Sequence, residues 1–440
     1  MRIAVVGTGI LGLTCAHLLG RAHDVTVFER EGRAGGHTNT VRVDLDDETH
    51  YVDTGFIVYN EPNYPGLVRL FDRLGVPTKP SDMSFGVSDP ATGVEWRATG
   101  PSTVFARPSN ALRPAFLRML ADIARFNRHT RALLAEGIPE GLTLRELVAE
   151  GRWSSHLVTW YLAPMVSAIW SAPIGAALDI PAATFARFFD NHGLLRLGAQ
   201  PSWRTVDGGA QSYVRRILDP LGNRVRLGTP VAKITRHPDG VELVTDRHGP
   251  ERFDHVILAG HSDESLELLV DPSPAERAVL GSIRYQPNTA VLHTDERVLP
   301  RARRAWASWN YRLQASATPT SATPTADSPT GRPPTGRPAT ADPRGATLTY
   351  SMNLLQSIDS RHQICVTLNQ PGAVDPARVL GVFEYAHPVM DSAAVAAQKR
   401  YGEISGVRAT WYCGAYWGYG FHEDGLQSAL RVCRAFGVDL

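Results

Sequence analysis

The sequence predicts an α/β fold organised around a Rossmann-like dinucleotide-binding unit, and three observations carry that prediction. A GxGxxG string, Gly7-Thr8-Gly9-Ile10-Leu11-Gly12, sits between a short apolar strand and an apolar helix near the start of the chain. A second glycine pair, Gly35-Gly36, follows shortly after Glu29. A third glycine-rich stretch, Gly414 to Gly425, leads into the last helical segment.

The first elements read as Arg2–Val6 strand, Leu11–Leu19 helix and Asp24–Phe28 strand, from a short buried run, a helical run and a second β-branched run. Between them the first glycine permits the tight turn and the second lets backbone approach a diphosphate. The third lets the helix pack closely on the strand, so that the helix N-terminus faces the phosphates. Glu29 closes the second strand about 17 residues past Gly12, near the spacing at which an acid accepts hydrogen bonds from a ribose. The string Arg30-Glu31-Gly32-Arg33-Ala34-Gly35-Gly36-His37-Thr38 then offers the backbone a second close approach, which a simple NAD domain does not require. FAD is the better match. The candidate contacts here are Gly7, Gly9, Ile10, Leu11, Gly12, Glu29, Arg30, Arg33, Gly35, Gly36, His37 and Thr38.

From Pro108 to Leu195 apolar residues recur at helical spacing. Within this region Trp153–Trp170 is rich in Trp, Tyr, Leu and Met, and reads as helical packing or as the wall of an apolar tunnel. Short strands follow at Arg224–Leu227, Val231–Ile234, Val241–Thr245 and Val256–Leu258, as if the nucleotide unit were resumed. Ala315–Ala346 is low in complexity, carries Pro-Thr-Gly-Arg-Pro twice and has almost no large apolar side chains to bury; a disordered insertion is expected. Strands resume at Thr347–Tyr350 and Ile364–Leu368, and a closing helix is expected from about Gly425.

Composition narrows the function classes. With 45 basic and 44 acidic residues there is no net field to attract nucleic acid, and membrane contact is expected to be peripheral at most. The four cysteines are scattered without a CxxC pair, which argues against a metal site or disulfide framework and fits a reducing cytoplasm. Only Lys79, Lys233 and Lys399 are lysines, which restricts any mechanism that depends on one.

These strings, together with Val52-Asp53-Thr54-Gly55-Phe56-Ile57-Val58-Tyr59-Asn60, Asn191-His192-Gly193-Leu194-Leu195, Trp309-Asn310-Tyr311 and Gly420-Phe421-His422-Glu423-Asp424-Gly425-Leu426, resemble the flavin amine oxidase, protoporphyrinogen oxidase and phytoene desaturase superfamily. Within it they are similar to a bacterial group often found beside cyclopropane-fatty-acid-synthase-type methyltransferases. The resemblance implies a glutathione-reductase-type two-dinucleotide fold with an inserted α+β substrate domain, amine-oxidase-like, holding FAD noncovalently. It implies a discontinuous FAD domain, residues 1–75, 205–275 and 401–440, and a substrate domain from 76–204 and 276–400. By the same resemblance Gly55 and Phe56 lie beside the cofactor, Val231 contacts adenine and Gly414 lies near the ribityl–phosphate chain. The amides of Glu423, Asp424, Gly425 and Leu426 would cap the ring. An arginine usually follows the glycine pair in that superfamily; His37 stands there instead, with Arg33 as a substitute.

For the reactive site, His422 reads either as a general acid–base or as a helix-entry histidine. Tyr419 and Phe421 read as walls of the substrate side or as core, and His192 as a secondary candidate. The expected function is an FAD-dependent oxidoreductase (oxidase, desaturase or isomerase) acting on an apolar substrate such as a lipid acyl chain. Amine oxidation, or an accessory role for a methyltransferase partner, are the alternatives.

Overall fold

The computed structural model describes residues 1–196, 198, 200–313 and 347–440. The low-complexity stretch at 315–346 lies outside the described residues.

A five-stranded sheet forms the first layer, in the order Val225–Arg226, Asp24–Phe28, Arg2–Val6, His255–Leu258, Thr410–Tyr412. Every pairing in it is parallel. A parallel sheet needs both faces covered, and the central strand complies: Ile3, Ala4 and Val5 are all buried. On one face the helices Ile10–Leu19, Gln211–Leu218 and His422–Ala435 bury Leu13, Ile217 and Leu430 against Ile3 and Val5. On the other, an antiparallel sheet of Val231–His237, Gly240–Thr245 and Gly249–Phe253 packs Ile234, Leu243 and Phe253 on Ala4, Phe28 and Val256.

Of the four middle strands expected from the sequence, Val225–Arg226 and His255–Leu258 join the parallel sheet, and the two between them belong to the antiparallel one packed on it. One sequence expectation is corrected here. The closing helix starts at His422, not near Gly425, because the Asp424 carboxylate accepts the Phe421 amide at 2.9 Å and caps the first turn, so the helix opens three residues before that glycine.

A seven-stranded sheet forms the second body, in the order Val379–Pro388, Tyr285–His293, Cys365–Leu368, Thr347–Ser351, Trp309–Arg312, Phe85–Asp89, Val94–Arg97. The helices Pro114–Glu136, Ala163–Trp170 and Ala182–Asn191 share its apolar core. Trp160, Leu162, Met165 and Trp170 are buried in that core, so the aromatic-rich stretch serves mainly as packing. Among the described residues no helix is long and apolar enough to cross a membrane.

Candidate functional site

The two glycine loops predicted from sequence meet. Gly7 has φ of +105°, and a Cβ on Gly12 would lie 2.0 Å from the Gly7 carbonyl oxygen, so helix and strand approach as only glycine allows. Gly9 is the N-cap of the Ile10–Leu19 helix and brings no side chain to its first amides, which stay available to an anion. Gly36 lies against Gly9, its notional Cβ 3.3 Å from the Gly9 Cα, and the Gly35 amide donates to the Thr8 carbonyl at 3.0 Å. Glu29 ties this cradle together: its carboxylate accepts from the Thr8 amide at 2.9 Å and the Thr8 hydroxyl at 2.5 Å, and from the Glu31 amide at 2.9 Å. Val231 begins the strand two residues after Thr229, whose amide donates to the Glu29 carbonyl at 2.7 Å. Of the two arginines, Arg30 is exposed and pairs with Glu264, whereas Arg33 reaches back to the Gly36 carbonyl at 2.9 Å.

His37 carries the cradle into the second body. Its ring lies 5.0 Å from Tyr385, 5.3 Å from His387 and 6.3 Å from His261, and its Nε2 is buried without a hydrogen-bond partner. Burial, then the neighbouring imidazoles, hold its pKa well below the usual histidine value. Gly55 and Phe56 back this loop, the Phe56 amide donating to the His37 carbonyl at 2.9 Å.

The closing loop returns to the same place. The Gly414 amide donates to Ser428 Oγ at 3.0 Å, and Gly425 packs the closing helix on Leu11, where a Cβ would meet the Leu11 side chain at 3.1 Å. The N-terminus of the closing helix thus abuts the phosphate helix, and Leu426 is buried between them. The Glu423 carboxylate accepts the Gly66 and Leu67 amides, each at 2.9 Å, so that side chain caps the Pro65–Leu74 helix. Burial raises the pKa of Asp424 to about 6 despite its backbone donors.

His422 is enclosed by Phe56 on one face, and its Nε2 lies 3.2 Å from both Thr38 Oγ1 and Tyr213 Oη. Loss of hydration lowers its pKa to about 3, so the ring is neutral near pH 7. Phe188 gathers the remaining candidates: its ring is 5.2 Å from Phe421, 5.7 Å from Tyr419 and 4.0 Å from His192. His192 also bonds the Phe188 carbonyl through Nδ1 at 2.9 Å, and Trp170 Nε1 donates to the Tyr419 carbonyl at 3.2 Å.

Sequence reasoning assigned no role to the side chains of Tyr213, Asp53 and Asn288. Thr38 and Tyr213 share a short hydroxyl contact across the interior. Buried Asp53 accepts the Ala210 amide at 3.0 Å, Thr40 Oγ1 at 2.5 Å and Gln356 Nε2 at 2.9 Å; burial pushes its pKa up to about 7. Asn288 contacts His387 Nδ1 through its Nδ2 at 2.8 Å. Asp53 lies within the Val52–Asn60 string.

With this geometry in hand, comparison with known proteins decides the family. The profile of the flavin containing amine oxidoreductase family matches residues 12–349. This chain belongs to that family. A Mycobacterium tuberculosis protein named as a flavin-containing monoamine oxidase, AofH, is 29% identical over 288 residues, which is 61% of this chain and 59% of that protein. Human flavin-containing amine oxidase B is 28% identical over 272 residues, 58% of this chain and 49% of that enzyme. The match therefore spans about half to three-fifths of these relatives. Among solved structures, a CLA-producing fatty acid isomerase from P. acnes superposes with a TM-score of 0.66 at 16% identity, covering 99% of this chain and 98% of that one. Cyclohexylamine oxidase from Brevibacterium oxydans IH-35A gives 0.65 at 14%, with 99% and 98% coverage. At those identities the likeness concerns the fold. The cofactor of this flavin family member is FAD, and the residues fit it: open helix amides at Gly9, paired glycine loops, the Glu29 carboxylate at the strand end, and an unpartnered buried imidazole nitrogen on His37.

Proposed function

We propose that this chain is an FAD-dependent oxidoreductase, working as an oxidase, desaturase or isomerase on an apolar substrate whose reacting part is a lipid acyl chain. The observation that carries this reading is the wall built on Phe188, where Tyr419 and Phe421 from the closing loop meet His192 and where Trp170 holds the loop backbone. When bound, FAD supplies two-electron redox chemistry. The chain's own part is to position and to keep dry: the aromatic wall orders a flexible carbon chain and excludes water, and the first turn of the closing helix presents amides. Neutral His422, fixed by Thr38 and Tyr213, offers a hydrogen-bonding edge rather than a charge.

The lysines support this reading over amine chemistry that relies on one. Lys79 pairs with Asp207 and Lys399 with Glu140, Lys233 is exposed, and the Tyr285–Asp295 stretch contains none. Amine oxidation is the second reading, favoured by the names of the relatives. The genomic resemblance adds a methyltransferase acting on the same class of lipid as a proposed partner. Anaerobic bleaching of the flavin band separates the readings: acyl lipids should bleach it and simple amines should not, and rapid bleaching by an amine panel alone would reject the acyl proposal.

A further inference from the structure

A cavity of about 230 Å³ opens in the second body, lined by Pro173, Ile174, Leu348 and Leu368 and by the carboxamides of Gln286, Asn288, Asn369 and Gln370. Among the described residues no charged side chain lines it. The amides are held in place. Asn288, fully buried, donates to the Gln286 carbonyl at 3.1 Å, contacts His387 Nδ1 at 2.8 Å and accepts from Asn369 Nδ2 at 2.6 Å. Asn369 Oδ1 accepts the Thr289 amide at 3.0 Å, and Gln286 Nε2 donates to the Ser171 carbonyl. Each terminal amide carries two N–H donors, so Asn369 and Gln286 each keep one for a ligand. His387 joins this cavity to His37, which directly follows Gly36 of the phosphate cradle.

We infer that this cavity binds a neutral carbonyl group, an ester or amide attached to an apolar chain, whose oxygen accepts from Asn369 and Gln286. The inference rests on the acyl reading above and deepens it by specifying the head group. A protonated amine or a free carboxylate finds hydrogen-bonding partners among the carboxamides but no compensating charge. Burying either ion unpaired costs several kcal/mol, whereas a hydrogen-bonded carbonyl is buried at little cost. His387, bonded to Asn288, reinforces this: burial holds its pKa at about 4, so it adds no charge near neutrality.

The test is calorimetric binding to the FAD-loaded protein at pH 7.5 with three probes sharing one chain, methyl decanoate, decanoate and decylamine, and a short neutral probe, N-methylbutyramide. The ester should bind about tenfold or more tightly than either ion. Asn369→Leu should weaken the ester by about tenfold, the loss expected for one buried hydrogen bond, while Asn288→Asp should shift the preference toward decylamine. Circular dichroism and FAD content confirm that each variant is folded. Equal or tighter binding of an ion, or ester binding indifferent to both Asn369→Leu and Gln286→Leu, overturns the inference. Binding of N-methylbutyramide alone, with the same dependence on Asn369, upholds the neutral site and overturns the acyl reading.

Discussion

His422 lies face to face with Phe56, their ring centroids 3.8 Å apart and their planes within 14°. The stack comes from opposite ends of the chain: Phe56 follows the His37 loop, and His422 opens the closing helix. It fixes the orientation of an imidazole whose Nε2 already has two hydroxyl neighbours.

The first prediction concerns that residue. His422→Gln keeps approximate size and hydrogen bonding and should retain FAD. Flavin reduction by the true substrate should fall by about tenfold, because a flexible amide does not hold the hydrogen-bonding edge that the stacked, neutral ring fixes. Stopped-flow reduction under anaerobic conditions measures it; an unchanged rate would show that His422 only supports the helix.

Its pH signature has a definite sign. The folded pKa, about 3, lies below the ordinary 6.5, so the unfolded chain binds more protons between those values. The stability that His422 contributes is complete above about pH 6.5 and is lost as pH falls toward 3. His422→Gln should therefore flatten the acid limb of a melting-temperature profile and leave the limb above pH 7 unchanged.

Glu29 connects the second strand to the glycine loop through Thr8. Glu29→Ala should weaken FAD retention by about 1–3 kcal/mol through lost buried hydrogen bonds. Fluorimetric titration of apoprotein with FAD measures it, and an unaltered dissociation constant would remove Glu29 from the cofactor site.

Gly12→Ala places a methyl group where 2.0 Å separates it from the Gly7 oxygen. Helix and strand must part, at a cost of about 1–3 kcal/mol or more for overpacking. Both the melting temperature and FAD content should drop, in contrast to Gly32→Ala, where a Cβ meets nothing within 4 Å.

Arg312 and Thr347 are register partners in an antiparallel pair. The described residues that flank the 315–346 stretch are therefore close enough to be joined by a short turn. Replacing residues 315–346 with a brief glycine linker should leave FAD content and melting temperature nearly unchanged, since closure entropy varies slowly with loop length. A fall of several degrees would assign that stretch a packing role.

The nucleotide half of the site was readable because its determinants are local. Gly7, Gly9 and Gly12 act within one turn, and Glu29 is fixed by the length of one helix and one strand. The Thr38–Tyr213 contact spans 175 residues and the Asn288–His387 contact 99. The second depends on the register that sets Gln286 opposite His387 and Asn288 opposite Tyr385. Nothing in either segment announces that register, because strand pairing is decided by burial of whole faces. Glu423 divides between the two cases: the glycine-rich string marks its backbone amide for the cofactor, while its carboxylate caps amides 357 and 356 residues away in the chain.

The parallel sheet joins residues 2–6 to residues 255–258 and, through them, to residues 410–412. A nascent chain emerging from the ribosome thus carries its phosphate loop long before it has the strand and closing helix that press against it. Until residues 410–435 emerge, the outer edge of His255–Leu258 and the first helix's contact face for the closing helix remain uncovered, a state in which aggregation competes with folding. Cofactor capture should consequently come late in biosynthesis, and FAD supply during expression should govern how much protein survives that interval.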